Sequence, residues 1–164
     1  MIKRMLICVL FVILVTSHGY SRYPPTIAIF PDDERISWCF YIDPGNPFDI
    51  WIWCYPGENG QIGAEFAIEY PESGIFPGPI TTNTNLVVDI EGDIESGVKV
   101  TYNECQYDWN WPLQQQIFLM TNDPVQFYVI PHSGYEYPQF FTCEEVHPTE
   151  RCCVCELYVN SCPA

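Results

Sequence analysis

Residues 48–55 read Phe48-Asp49-Ile50-Trp51-Ile52-Trp53-Cys54-Tyr55. Side chains alternate across a strand, so this stretch predicts a β-strand with two distinct faces. Phe48, Ile50, Ile52 and Cys54 form one face, and Asp49, Trp51, Trp53 and Tyr55 the other. Just before it, Asp43-Pro44-Gly45-Asn46-Pro47 is a dense turn signal. Earlier still, Ile36–Ile42 is rich in aromatic and β-branched residues. Downstream, Ile62–Tyr70 alternates again, with Ala64, Phe66 and Ile68 against Glu65, Ala67 and Glu69. Two strands are expected over Leu86–Ile90 and Val98–Tyr102, joined by the turn Glu91–Gly97. Another pair is expected over Gln116–Met120 and Val125–Ile130, and a last strand over Val154–Val159. Pro71–Pro79, dense in proline and glycine, reads as a connection. About seven to eight short strands with regular turn signals predict an antiparallel β-sandwich. No long stretch carries a helical period, which excludes nucleotide-binding α/β folds.

The 164 residues are 48% hydrophobic and carry a formal net charge of -15. That composition suits one globular domain. The charge argues against nucleic acid, whose phosphates need Lys and Arg, and against anionic membrane surfaces. Lys3 and Arg4, the apolar run Met5–Val15 and the small polar residues Thr16–Ser21 have the layout of a secretory signal. The apolar run is short of the roughly 20 residues a membrane-spanning helix needs, so an N-terminal anchor is the lesser reading. Cleavage is expected after Gly19 or Ser21. The expected organisation is therefore a signal peptide over 1–21, an N-terminal extension over 22–35 and one sandwich domain over 36–164. The product is expected to be secreted or periplasmic, with no membrane span after signal removal.

Cys8 leaves with the signal, and Cys39, Cys54, Cys105, Cys143, Cys152, Cys153, Cys155 and Cys162 remain. An even count in an exported chain reads as a disulfide framework, with 105 formal connectivities for eight cysteines. Cysteines one or two positions apart rarely bond each other without strain. The crowded segment 152–162 is therefore expected to bond outward and staple the C-terminus to the body. A thiolate metal site is the rival reading, weakened by the lack of paired Cys-x-x-Cys knuckles.

The order of features resembles a group of small exported Ig-like β-sandwich proteins of unknown function, known mainly from uncultured bacteria. The matching pieces are Trp38-Cys39, Gly63-Ala64-Glu65-Phe66 and Ser96-Gly97-Val98-Lys99-Val100-Thr101-Tyr102 running into Cys105. Phe127-Tyr128-Val129-Ile130-Pro131 before Cys143 and the closing Cys153-Val154-Cys155 complete the set. The resemblance implies an Ig-like sandwich and an exported life, and no activity. Cys54, Cys152 and Cys162 stand outside its pattern.

No nucleophile motif, His-Glu-x-x-His or phosphate loop is present, so the chain reads as a non-enzyme. A hydrolase with an unrecognised carboxylate pair is an alternative. Trp51 and Trp53, and the alternating Tyr107, Trp109 and Trp111, are candidate ligand-binding residues. Aromatic rings stack on sugars while neighbouring Asp, Asn and Gln reach hydroxyls. The competing expectation is that Trp51 and Trp53 lie buried under a loop or sheet. Asp89, Glu91 and Asp93 are a candidate calcium set, since loop carboxylates supply the oxygens calcium takes; a solvated acidic edge is the plainer reading. His132 and His147 read as loop residues. The expected function is a non-catalytic exported binding or structural module contacting a glycan, a surface polymer or another extracellular protein. A subunit of an extracellular assembly, joined through edge strands and the C-terminal cysteines, is the other alternative.

Overall fold

The computed structural model describes residues 24–143, 149–151 and 153–162. The candidate signal segment, His147 and Cys152 lie outside them. The strands are β1 (Thr26–Phe30), β2 (Cys39–Phe40), β3 (Pro47–Tyr55), β4 (Gln61–Glu69), β5 (Ile75–Thr82), β6 (Val87–Asp93) and β7 (Gly97–Gln106). They continue with β8 (Asn110–Leu119), β9 (Val125–Ile130), β10 (Gln139–Thr142), β11 (Thr149–Arg151), β12 (Cys153–Cys155) and β13 (Leu157–Val159). One sheet runs β12-β1-β3-β8-β5. The second is built around β4. β7 pairs with β4 and then with β6; β10 pairs with the first half of β4 and β9 with the second half. β13 joins β9 to β2, and β11 joins β10. The result is the expected all-β sandwich, with no helix among the described residues.

The alternation in 48–55 translates directly into packing. Ile50, Ile52 and Cys54 are fully buried, facing Ala64, Phe66 and Ile68 from β4 and Phe127 from β9 in one continuous core. Phe127 sits edge-on to both Phe48 (6.2 Å) and Tyr70 (6.0 Å), so it ties the two sheets together. Gly63 is needed where it stands. A Cβ there would come within 2.5 Å of the Val100 carbonyl oxygen of β7, a neighbour that cannot swing aside.

Several elements differ from the sequence reading. Thr26–Phe30, inside the stretch read as an N-terminal extension, is β1, and Ile27, Ala28 and Ile29 are buried. The sandwich therefore begins before residue 36. Pro71–Pro79, read as a connection, gives up its second half to β5. Proline is tolerated there because β5 is an edge strand and its register shifts between Pro77 and Ile80. β8 starts six residues earlier than expected, at Asn110. The expected strand 154–159 breaks at Glu156 into β12 and β13, which join different sheets. β9 and β10 run in line along β4, separated by the excursion 131–138.

The cysteine reading is half met and half corrected. Cys39 bonds Cys162, and Cys105 bonds Cys143. The first bond does staple the C-terminal segment to the body. Cys54, Cys153 and Cys155 are free thiols. Cys54 is buried in the core on the inward row of β3. Cys153 and Cys155 are neighbours of the same face of one strand, a spacing unsuited to bonding each other.

Candidate binding surface

The outward row of β3 meets the start of β8 on the solvent side of the five-stranded sheet. Ile52 pairs with Leu113 and Cys54 with Asn110, so Trp111 and Pro112 together stand opposite Trp53. This bulge tilts the indole of Trp111 against Trp51, edge-on at 4.8 Å between centroids. Trp109 lies 5.3 Å from Tyr55 and 6.5 Å from Phe30. Arg35 closes the cluster from above. Its guanidinium is 4.3 Å from the centre of the Trp53 ring and 5.3 Å from that of Trp109, within the range of a cation–π attraction.

Of the five aromatic candidates, the structure thus brings Trp51, Trp53, Trp109 and Trp111 together. Trp53 is only 7% exposed, so it meets the competing expectation of burial; Trp51 is half-buried. The indole Nε1 of Trp53 is buried without a hydrogen-bond partner. Tyr107 leaves the group: it is 65% exposed and packs over Gly60 beside Cys105. Trp53, Trp109 and Trp111 line an open groove of about 350 Å³. Asn83, Glu104, Gln106 and Asn110 supply its polar lining. Asn83 is held in place by donating to the Trp111 carbonyl at 3.1 Å, and Asn110 accepts from Gln61 at 3.2 Å. The sequence reading did not find Arg35, Asn83 or Glu104, because they come from other loops and strands and carry no local signal.

The same outer face extends to the β5 edge. Phe76 and Phe118 are register partners there and are 61% and 36% exposed. Together with the tryptophan cluster they make the outer face of this sheet unusually aromatic.

On the other sheet, Asp89, Glu91 and Asp93 do fall in one row of β6. Two of the three carboxylates are engaged elsewhere, however. Glu91 pairs with Lys99 at 3.6 Å. Asp93 accepts from the backbone of Glu95 and Ser96, at 3.0 and 2.8 Å, and from the Ser96 hydroxyl. The Ser96 hydroxyl, then its backbone N–H, hold the Asp93 carboxyl below its ordinary range. Among the described residues no group of three or more His, Cys, Asp or Glu side chains is placed to hold a metal ion. His132, on the excursion after β9, lies 3.7 Å from the largely buried Glu65 and 2.9 Å from the Ser133 carbonyl. Its ring fills the space a side chain at Gly97 would need.

Between the sheets sits a small polar cluster. Gln61 donates to the Tyr102 hydroxyl at 2.9 Å, and both groups hydrogen-bond the Cys54 thiol. Burial pushes the Cys54 thiol up to about 12, which makes it an inert core residue and no nucleophile.

No protein-family model matches the chain, and no curated protein matches it significantly. Solved structures do resemble it. A cohesin module from a Clostridium perfringens family 33 glycoside hydrolase superposes with a TM-score of 0.62 at 11% identity, covering 83% of this chain and 95% of that one. A type II cohesin domain from the cellulosome of Acetivibrio cellulolyticus gives 0.57 at 11% identity, covering 84% and 96%. A chain of a type I cohesin–dockerin complex from Clostridium thermocellum gives 0.56 at 6%, covering 87% and 97%. At these identities the likeness establishes the fold: a cohesin-like, Ig-type sandwich.

Proposed function

We propose that this chain is a non-catalytic module working outside the cytoplasm that binds another protein. The observation carrying this reading is the fold likeness itself. It spans nearly the whole of several cohesin modules, and one of the matching structures is a cohesin–dockerin complex. The two disulfides fit an oxidising compartment. The outer face of the five-stranded sheet supplies the residue types that dominate protein interfaces, namely Trp, Arg and exposed Phe. The immobilised chain is expected to capture a protein from the surface fraction of the producing cells. Phe76→Asp with Phe118→Asp should weaken that capture at least about 30-fold, as loss of a hot spot does. Equal capture by this variant, or no protein captured, would count against the reading.

A second reading is favoured by one feature, the groove beside Trp109 and Trp111. A groove lined by indoles together with amide and carboxylate side chains is suited to stacking on sugar rings and bonding their hydroxyls. In gels cast with soluble polysaccharides, the chain is then retarded by at least one of them. Trp109→Ala with Trp111→Ala abolishes the retardation, whereas unretarded migration in every polysaccharide removes this reading.

A further inference from the structure

Among the described residues, one edge of the five-stranded sheet ends at β12. There β12 pairs in parallel with β1, and no other described strand pairs with it. All three of its residues are exposed, Val154 to 41%, and Cys153 and Cys155 are unbonded. The direction of the backbone groups follows from one hydrogen bond. The Cys153 N–H donates to the Pro25 carbonyl at 2.7 Å, on the β1 side. Successive residues of a strand direct their N–H and C=O to opposite edges, so those of Val154 face outward. The two cysteines, opposite Thr26 and Ala28, share one face of the sheet.

We propose that β12 is a covalent dimerisation edge for a second copy of this chain. The two copies add edge to edge, antiparallel, with the two-fold axis at Val154. Each Val154 then exchanges both N–H···O bonds with its counterpart. Cys153 of each copy falls opposite Cys155 of the other in the flanking non-hydrogen-bonded positions. Cα atoms there lie about 4.5 Å apart, inside the roughly 4.4–6.8 Å that a disulfide spans. Cys-Val-Cys reads the same in both directions, so the register that aligns one pair aligns the other. A slip of two residues leaves a single bond, and a slip of one leaves none. This is the self-complementarity a two-fold contact requires. Each bond joins two thiols with loss of two protons and two electrons, accepted by a disulfide-form oxidant that becomes a dithiol. Two oxidant equivalents close one dimer. With a formal charge of -15 per chain, two copies repel, and so short an edge pairs durably only once bonded.

The test uses the purified chain treated with oxidised glutathione, then sized by light scattering and by gel without reductant. The expected product is a dimer that reverts to monomer on adding dithiothreitol. Cys153→Ser and Cys155→Ser, each oxidised alone, remain monomeric. Mixed in equal amounts they form a one-bond heterodimer, because the remaining Cys155 of one variant faces the remaining Cys153 of the other. Dimers from either variant alone would overturn the register. A dimer persisting when both residues are serine would move the link to another cysteine, and a wild type that stays monomeric would overturn the proposal outright. The inference does not depend on the protein-binding reading, since dimerisation is measured without any partner.

Discussion

Replacing Cys39 and Cys162 together by serine is expected to lower stability by about 4–5 kcal/mol, the loop-closure value for a cross-link of this length. The bond closes a sequence separation of 123 residues. For a chain of this size that corresponds to roughly 10–15 °C in midpoint temperature. The structure says where the loss begins. β13 is three residues long and β2 only two, and they pair with each other in parallel. Neither makes a ladder long enough to hold the C-terminus unaided. Yet Leu157 and Val159 are fully buried, and the amides of Tyr158 and Asn160 donate to Trp38 and Phe40 at 2.9 Å each. Without the bond, peeling of β13 uncovers these side chains before the rest of the sandwich opens. Hydrogen exchange at Tyr158 and Asn160 should accelerate more than exchange in β3 or β8. Removing Cys105 and Cys143, only 38 apart, should cost somewhat less, on the order of 4 kcal/mol. Denaturant titration decides the matter. A loss below about 1 kcal/mol for the longer loop would mean that packing alone holds β13 in place.

The same contrast between local and distant information explains what the sequence disclosed. Strand β3 was legible because its two faces differ in chemistry: Ile50 and Ile52 lie in the core, and Trp51 and Tyr55 lie outside it. The turn before it was legible because only glycine readily takes the positive φ of 84° seen at Gly45. β5 was hidden by prolines that would break an interior strand and are harmless at an edge. β1 was hidden because Ile27 and Ile29 become core only once β3 and β12 flank them. The aromatic surface was half legible. The spacing of Trp51, Trp53, Trp109 and Trp111 singled them out, but the β8 bulge and the return of Arg35 over Trp53 are long-range events. Cys54 is a different case. Its place on the row of Ile50 and Ile52 already marked it as a core residue, and the even cysteine count after the candidate signal segment overrode that signal.

Cys54 also makes the fold sensitive to alkali. Its thiol is raised to about 12 by burial, with the hydrogen bonds from Tyr102 and Gln61 offsetting part of the rise. Tyr102 is raised by burial and then by a charge on Cys54. Tyr70, which donates to Gln115, is raised by burial and then by the negative charge of Glu95. All three are acids kept neutral by the fold, so each titrates at a higher pH folded than unfolded. Their contribution is complete below the ordinary thiol value of 9.0 and phenol value of 10.0. It is lost as pH rises through the window above them, because the unfolded chain releases these protons first. At about 1.4 kcal/mol per unit, Cys54 alone removes roughly 3 kcal/mol by pH 11. Urea midpoints should therefore fall steeply between pH 9 and 11. Cys54→Ser keeps a hydrogen-bonding group at the site and removes the titrating thiol, so its alkaline slope should be shallower by up to one proton. Parallel pH profiles for the two proteins would show that the thiol does not titrate on unfolding in this range, and that the alkaline loss belongs to the tyrosines.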